Sequence, residues 1–261
     1  METLFRYAVA PVLGVVVTAC LAQAADLTAD QVRDALAEAS PTAPARLRGK
    51  DLSALDLSRL DFKGADLSGA NLFGSKLVLA NLAGANLSAA NLNGAWLMGT
   101  DFAGADLSDA MLMSVVILGG EITQRPRFAN ANLSGARIIA ELDGADLSGA
   151  NLSKARIGVD IRNQGMGQMR TNLTGANLSN CDLSGADLNR SLLRFANLKG
   201  ARLRGANLFR ADLSGADLTG ADLTGADLTE VDLDAAILKN VVGLDSAKGL
   251  DQAANVNRAV R

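Results

Sequence analysis

The side chains that could do chemistry in this 261-residue chain are mostly aspartates at a fixed spacing. Asp212, Asp217, Asp222, Asp227 and Asp232 follow one another five residues apart. Paired carboxylates at a suitable distance perform acid–base work or bind calcium. The chain offers little else for catalysis. It has no histidine, which removes the usual general base, a common metal ligand and any Ser-His-Asp triad. The glycines recur singly as turn residues and form no phosphate-cradling loop. The two cysteines, Cys20 and Cys181, are too few for a disulfide framework. With a formal net charge of −3, the chain suggests neither a nucleic-acid binder nor a strong nucleic-acid mimic. These features point away from an enzyme and imply no cofactor and no metal.

Whether the aspartates meet depends on the elements that carry them. The stretch 215–229 reads GADLTGADLTGADLT, and A-(D/N)-L-x-x units run from Asp51 to about Lys239. On an α-helix, every fifth residue advances by roughly 140° beyond a full turn, so the leucines would spiral over all faces. On a flat strand, odd spacing would place successive leucines on opposite faces. A coil that turns once per unit resolves the conflict. Ala and Leu lie two apart and point inward together, while the Asp or Asn and the two residues after Leu point outward. Successive coils then hydrogen-bond at strand spacing, about 4.8 Å. Leu and Ala fill the core, since only 3% of the chain is aromatic.

These units, GADLSGANL, LANLAGANLSAANLNGA and FANLKGARLRGANLFRADLSGADLTG, resemble the pentapeptide-repeat proteins. The resemblance implies an all-β solenoid: a right-handed quadrilateral β-helix. Four units then make a coil, so residues about twenty apart become neighbours. The five aspartates spread around the rod, and Asp212 meets Asp232. The repeat region, 51–239, predicts about nine coils and a rod roughly 43 Å long. The central residues run from Leu52 through Phe62, Leu82 and Phe102 to Ile122. One extra residue is expected before Phe128, and one is missing between Ile138 and Leu142. The period is lost over 158–170, which is expected to leave the coil as a loop. Cys181 occupies an Ala position and reads as a buried small hydrophobe.

The ends are expected to be closed by short helical caps. Residues 25–50 supply a capping helix and linker; the helix, within 26–40, has Thr28 as N-cap, Gln31 as its capping-box partner, and an apolar face of Val32, Ala35, Leu36 and Ala39. A linker containing Pro41 and Pro44 follows. Residues 240–261 lose the five-residue period, and Val241, Val242, Leu244, Leu250 and Val256 are expected to fold over the last coil. Residues 1–24 read as a secretory signal: Arg6, an apolar run, then Ala22-Gln23-Ala24 as the cleavage site. The alternative is a lipoprotein signal, residues 1–19, with lipidation at Cys20 of the VTAC sequence. Either places the protein in the bacterial periplasm or cell envelope.

Two surface features remain. Between residues 154 and 210 lie ten basic residues, and the following stretch, 211–234, carries seven acids and no base. Asp182, Arg202 and Asp222 are expected to alternate in one column, so compensation between coils is favoured over an anionic partner. The candidate interaction patch is an apolar stripe. Val78, Met98, Leu118 and Ile139 follow central residues on one side of the rod, with Trp96 and Val116 just before theirs. Phe73, Met111 and Met113 extend the stripe onto the neighbouring side. Exposed patches of this kind mark interaction sites. The expected function is a rigid interaction module that binds a protein partner or itself, without nucleic acid, touching membrane only through a lipid anchor. The alternative that the resemblance carries is a cytoplasmic DNA mimic that binds topoisomerase.

Overall fold

The computed structural model describes residues 25–117, 123–159 and 170–261. Wherever the period is unbroken, parallel bridges join residues twenty apart. The first side stacks Asp51, Asn71, Asn91 and Met111; the second stacks Asp56, Lys76, Trp96 and Val116. The third stacks Asp61, Asn81 and Asp101, and the fourth Asp66, Asn86 and Asp106. Five-residue sides and a twenty-residue return define a quadrilateral coil. The bonding alternates along each side: Leu57 N–H donates to Lys76 O, and Lys76 N–H donates to Leu55 O, both at 2.8 Å. At the corners the chain turns onto the next side in a tight turn. Ala65 N–H donates to Phe62 O at 2.8 Å, with Gly64 between them at φ +68°, where glycine carries no steric penalty. The outward Asp or Asn secures the next turn, as where Asp66 Oδ1 accepts the Ser68 N–H at 3.0 Å.

The central leucines and phenylalanines and the alanines two positions before them form one continuous buried column. Cys181 lies in it, buried and free. Phe62, Leu82 and Phe102 stack on the third side as expected, but the register beyond them differs from the sequence count. The ladder passes from Val116 on the second side to Arg127 on the third, where Arg127 bridges Asp101. Phe128 therefore stacks directly on Phe102, with ring centroids 5.0 Å apart and planes 1° from parallel. The whole insertion falls at one corner, and Ile122, expected as a central residue, lies outside the described residues. Ile138 consequently moves to the first side. There strand β1 (Met111–Met113) pairs in parallel with strand β2 (Arg137–Ile139), with Leu112 facing Ile138.

The second departure also falls at a corner. The ladder passes from Arg156 on the first side to Asn172 on the second, which bridges Glu141. The expected loop 158–170 begins later than its period suggested. Gly158 and Val159 still donate to Asp187 O and Asn189 O, at 2.7 and 3.2 Å. The rest of that segment, 160–169, lies outside the described residues. A corner is where a chain can gain residues without breaking ladder bonds on either side.

At the beginning of the rod, helix α1 (Ala29–Ala37) has the expected capping box between Thr28 and Gln31. Val32 is buried in the column, and Leu27, Leu36 and Ala39 pack against it. The coil starts before Asp51: Arg46 already bridges Asp66, and Leu47 is buried. The other end also differs from expectation. Residues 242–259 read VGLDSA, KGLDQA, ANVNRA, and they build a further coil with six-residue sides. Val242, Lys248, Ala254 and Val260 bridge Asp222, Asp227, Asp232 and Ile237. The sixth residue is accommodated by short 3-10 turns at Leu244–Ser246, Leu250–Gln252 and Val256–Arg258. Leu244, Leu250 and Val256 pack on the column as expected, whereas Val242 points outward and is 54% exposed.

Candidate interaction face

The aspartates that opened the chemical question are dispersed, as the coil requires. Asp212 and Asp232 bridge on the second side, while Asp217, Asp222 and Asp227 lie on three other sides. Each supports its own corner: Asp217 Oδ1 accepts the Thr219 N–H, and Asp227 Oδ1 accepts the Thr229 N–H, at 3.0 and 2.9 Å. The Thr224 hydroxyl and N–H, together with the Arg204 guanidinium, hold the Asp222 carboxyl down at about 2. A carboxylate so stabilised is a poor proton acceptor at neutral pH. Burial pushes the Cys181 thiol up to about 12, so it is no nucleophile. Among the described residues, no group of three acidic or cysteine side chains is placed to hold a metal ion.

The part of the basic band between residues 194 and 210 is compensated between coils. Arg194, Lys199 and Arg204 reach Asp212, Asp217 and Asp222 on three successive sides, and Arg210 pairs with Glu230 at 2.7 Å. Arg202 bridges both Asp182 and Asp222, and its guanidinium lies 3.3 Å from the Asp182 carboxylate. The alternating column is present, and the pairs form a belt between two coils. Each exposed pair contributes about 0–1 kcal/mol, so the belt's main effect is to cancel surface charge.

The apolar stripe survives in altered form. Trp96 is 40% exposed on the second side, between Lys76 and Val116 in its column. The Lys76 ammonium lies 5.6 Å from the ring centroid. Val78 and Val116 beside it are half-buried. Met98 is buried, contrary to expectation. Gln124, from the corner insertion, takes the ladder place expected for Leu118: its carbonyl accepts the Gly99 N–H at 2.8 Å. Leu118 itself lies outside the described residues, as does Cys20. Ile139 is not on the second side but on the first, where it faces Met113. Met111 and Phe73 are exposed on that same side. Asn93 interrupts the first-side column between Phe73 and Met113, its Oδ1 accepting the Met113 N–H at 2.9 Å. The stripe is therefore two adjoining strips: Val78, Trp96 and Val116 on one side, and Met111, Met113 and Ile139 on the next. Phe73 stands apart.

Sequence reasoning missed the exposed Phe195, 63% accessible at a corner, with Arg194 5.8 Å from its ring centroid. The signal was available, because Phe195 stands at a corner position that is glycine in many units. Phe209, under the guanidinium of Arg210 at 4.9 Å, was also missed.

The profile of the pentapeptide repeats matches the chain in eight copies, over residues 45–74, 80–116, 140–157, 171–208 and 206–242. Together these cover more than half of it. No curated protein matches. Among solved structures, the chain is similar to HetL, a pentapeptide repeat protein involved in heterocyst differentiation regulation from the cyanobacterium Nostoc sp. strain PCC 7120. They are 33% identical over 87% of this chain and 94% of that one, with a TM-score of 0.49. QnrB1, a plasmid-mediated fluoroquinolone resistance protein, is 19% identical over 81% of this chain and 92% of its own, at 0.40. A pentapeptide repeat protein from the Arabidopsis thaliana thylakoid lumen is 30% identical over 47% and 75%, at 0.25.

Proposed function

The chain belongs to the pentapeptide-repeat family, and from that premise we propose that it is a non-enzymatic, rigid scaffold that binds a protein partner through the face around Trp96. The family's right-handed β-helix supplies stiffness, since parallel bridges join successive coils on four sides along most of the rod. The observation that carries the reading is the pair of adjoining apolar strips. The outward positions around Trp96 and Met111 hold large apolar residues where most other coils hold Ser, Thr, Asp or Asn. A solvated rod gains nothing from such residues, whereas a partner would bury them, with Trp96 as anchor. The dispersed carboxylates and the inert thiol support a role in binding rather than catalysis. On this reading, α1 and the six-residue coil act as caps that shield the ends of the column.

The scaffold works in the bacterial envelope, a reading that rests on the apolar run and Ala22-Gln23-Ala24 near the N-terminus. No helix among the described residues is long and apolar enough to cross a membrane. Two measurements test the proposal. Trp96→Ser should abolish capture of a partner from envelope extracts, or self-association, while leaving the melting temperature unchanged. A large loss of stability would instead make Trp96 part of the internal packing and end the interface reading. Mass measurement of protein from its native host should give a chain beginning at Ala25 or at a lipidated Cys20. A full-length cytosolic chain would overturn the envelope assignment and favour the topoisomerase-binding alternative.

A further inference from the structure

The N-terminal end of the ladder is closed on only two of its four sides. On the first side, Asp26 acts as a substitute strand: its N–H donates to Asp51 O at 2.8 Å, and its carboxylate accepts the Asp51 N–H at 2.9 Å. On the fourth side, the chain itself passes beneath Asp66 at Arg46. The second and third sides have no such closure. Among the described residues, the backbone N–H and C=O groups of Asp56 and Asp61 bond to nothing. Unpaired strand edges of this kind recruit another chain unless they are blocked.

The edge at Asp61 has a second feature. It borders a groove of about 450 Å³ whose walls include Leu36, Ala39, Pro41 and Pro44, together with the polar Ser40 and Lys63. The chain's own linker runs along this groove but cannot complete the ladder. Pro41 and Pro44 have no N–H to donate. Ser40 and Ala43 bond to each other in both directions at 3.0 Å. The groove is therefore a place beside an open edge that the chain approaches and leaves unpaired.

We propose that this edge is a strand-addition site for an extended peptide carrying a basic or amide residue between apolar ones. The parallel ladder sets the register. A peptide residue beneath Asp61 would accept the Asp61 N–H on the carbonyl before it and donate its following N–H to Asp61 O, as at every bridge above. Its own side chain would lie next to the Asp61 carboxylate. In the lower part of the ladder, the bridge partners of aspartates are basic or amide residues, Arg46 under Asp66, Lys76 over Asp56, Asn71 over Asp51 and Asn81 over Asp61, although the substitute strand under Asp51 is itself an aspartate, Asp26. The residues on either side would turn into the groove, where Leu36, Ala39, Pro41 and Pro44 favour small aliphatic groups. Strand addition draws affinity from the main chain and specificity from alternate side chains. The site is separate from the Trp96 face.

The probe is a fluorescein-labelled octapeptide, Gly-Ser-Ala-Lys-Leu-Ser-Gly-Ser, compared with its Lys→Glu counterpart by fluorescence anisotropy on the full chain. The lysine peptide is expected to bind at least tenfold tighter than the glutamate one. Asp61→Pro removes an N–H that has no internal partner, so it should weaken binding at least tenfold with the circular dichroism unchanged. Asp61→Lys should reverse the preference between the two peptides, and it decides the matter if the proline variant misfolds. Trp96→Ser should leave peptide binding unchanged, which separates this site from the apolar face. Absence of binding, equal binding of both peptides, or indifference to the Asp61 variants would overturn the proposal. It would also be overturned if only a chain beginning at Ala25 bound the probe, because residues 1–24 would then be the occupant.

Discussion

The ring of Phe195 packs against Gly215, which stands one coil further along the rod. A Cβ placed on Gly215 would stand 2.5 Å from Phe195 Cδ1. The same relation recurs between Asn180 and Gly200, Asn130 and Gly149, and Leu79 and Gly99. In each, a non-glycine corner residue in the left-handed region leans over a glycine in the next coil. The two corners are coupled: a side chain at one is accommodated by its absence at the other.

This coupling is measurable. Gly220 has the same left-handed backbone but nothing near its missing Cβ. Gly220→Ala should cost only the backbone term, about 1–2 kcal/mol. Gly215→Ala should cost about 0.5–1 kcal/mol more, and the excess should vanish when Phe195 is also changed to Ala. Chemical denaturation of the parent, Gly220→Ala, Gly215→Ala, Phe195→Ala and the double variant checks this, and equal costs at both glycines would refute the coupling.

The stacking of Phe102 on Phe128 fixes the register after the first insertion, and it too has an energetic signature. A double-mutant cycle of Phe102→Leu and Phe128→Leu should show a coupling of about 0.5–1.5 kcal/mol. Had Phe128 continued the unbroken count it would lie on the next side, and the two substitutions would be additive.

Acid should loosen the coil from its corners. The folded-state carboxyl of Asp222 titrates at about 2, below its ordinary value of 3.8, and those of Asp51, Asp66 and Asp227 are also lowered, chiefly by hydrogen bonds from Ser53, Ser68 and Thr229. A lowered folded value contributes stability that is fully present above the unfolded value and disappears as pH falls through the folded one. The melting temperature should therefore be flat above about pH 5 and fall between pH 4 and 2. Thr224→Ala should raise the Asp222 midpoint in an NMR titration. A midpoint unmoved by that change would remove the hydroxyl as its main cause.

The sequence alone determined the coil, because a five-residue period has one steric solution: two inward residues per side and a turn between sides. It also located the buried Cys181 and the dispersal of the aspartates, which depend only on position within a unit, and the capped helix at Thr28, whose capping box is a local pattern. The charge column through Asp182, Arg202 and Asp222 was legible for the same reason, since a twenty-residue return follows once four sides are assumed. What the tertiary structure decided were the places where the count is interrupted. An insertion can be absorbed as an extra side or as a longer corner, and local spacing is nearly the same for both. The stacking of Phe128 on Phe102 selects the corner, which moves Ile139 to the first side, and Met98 is buried although its position in its unit marked it as exposed. The final coil escaped for a related reason: a period of six is visible in the sequence, but only the ladder to Asp222, Asp227, Asp232 and Ile237 shows that six residues can span a side when the extra one is taken up in a 3-10 turn.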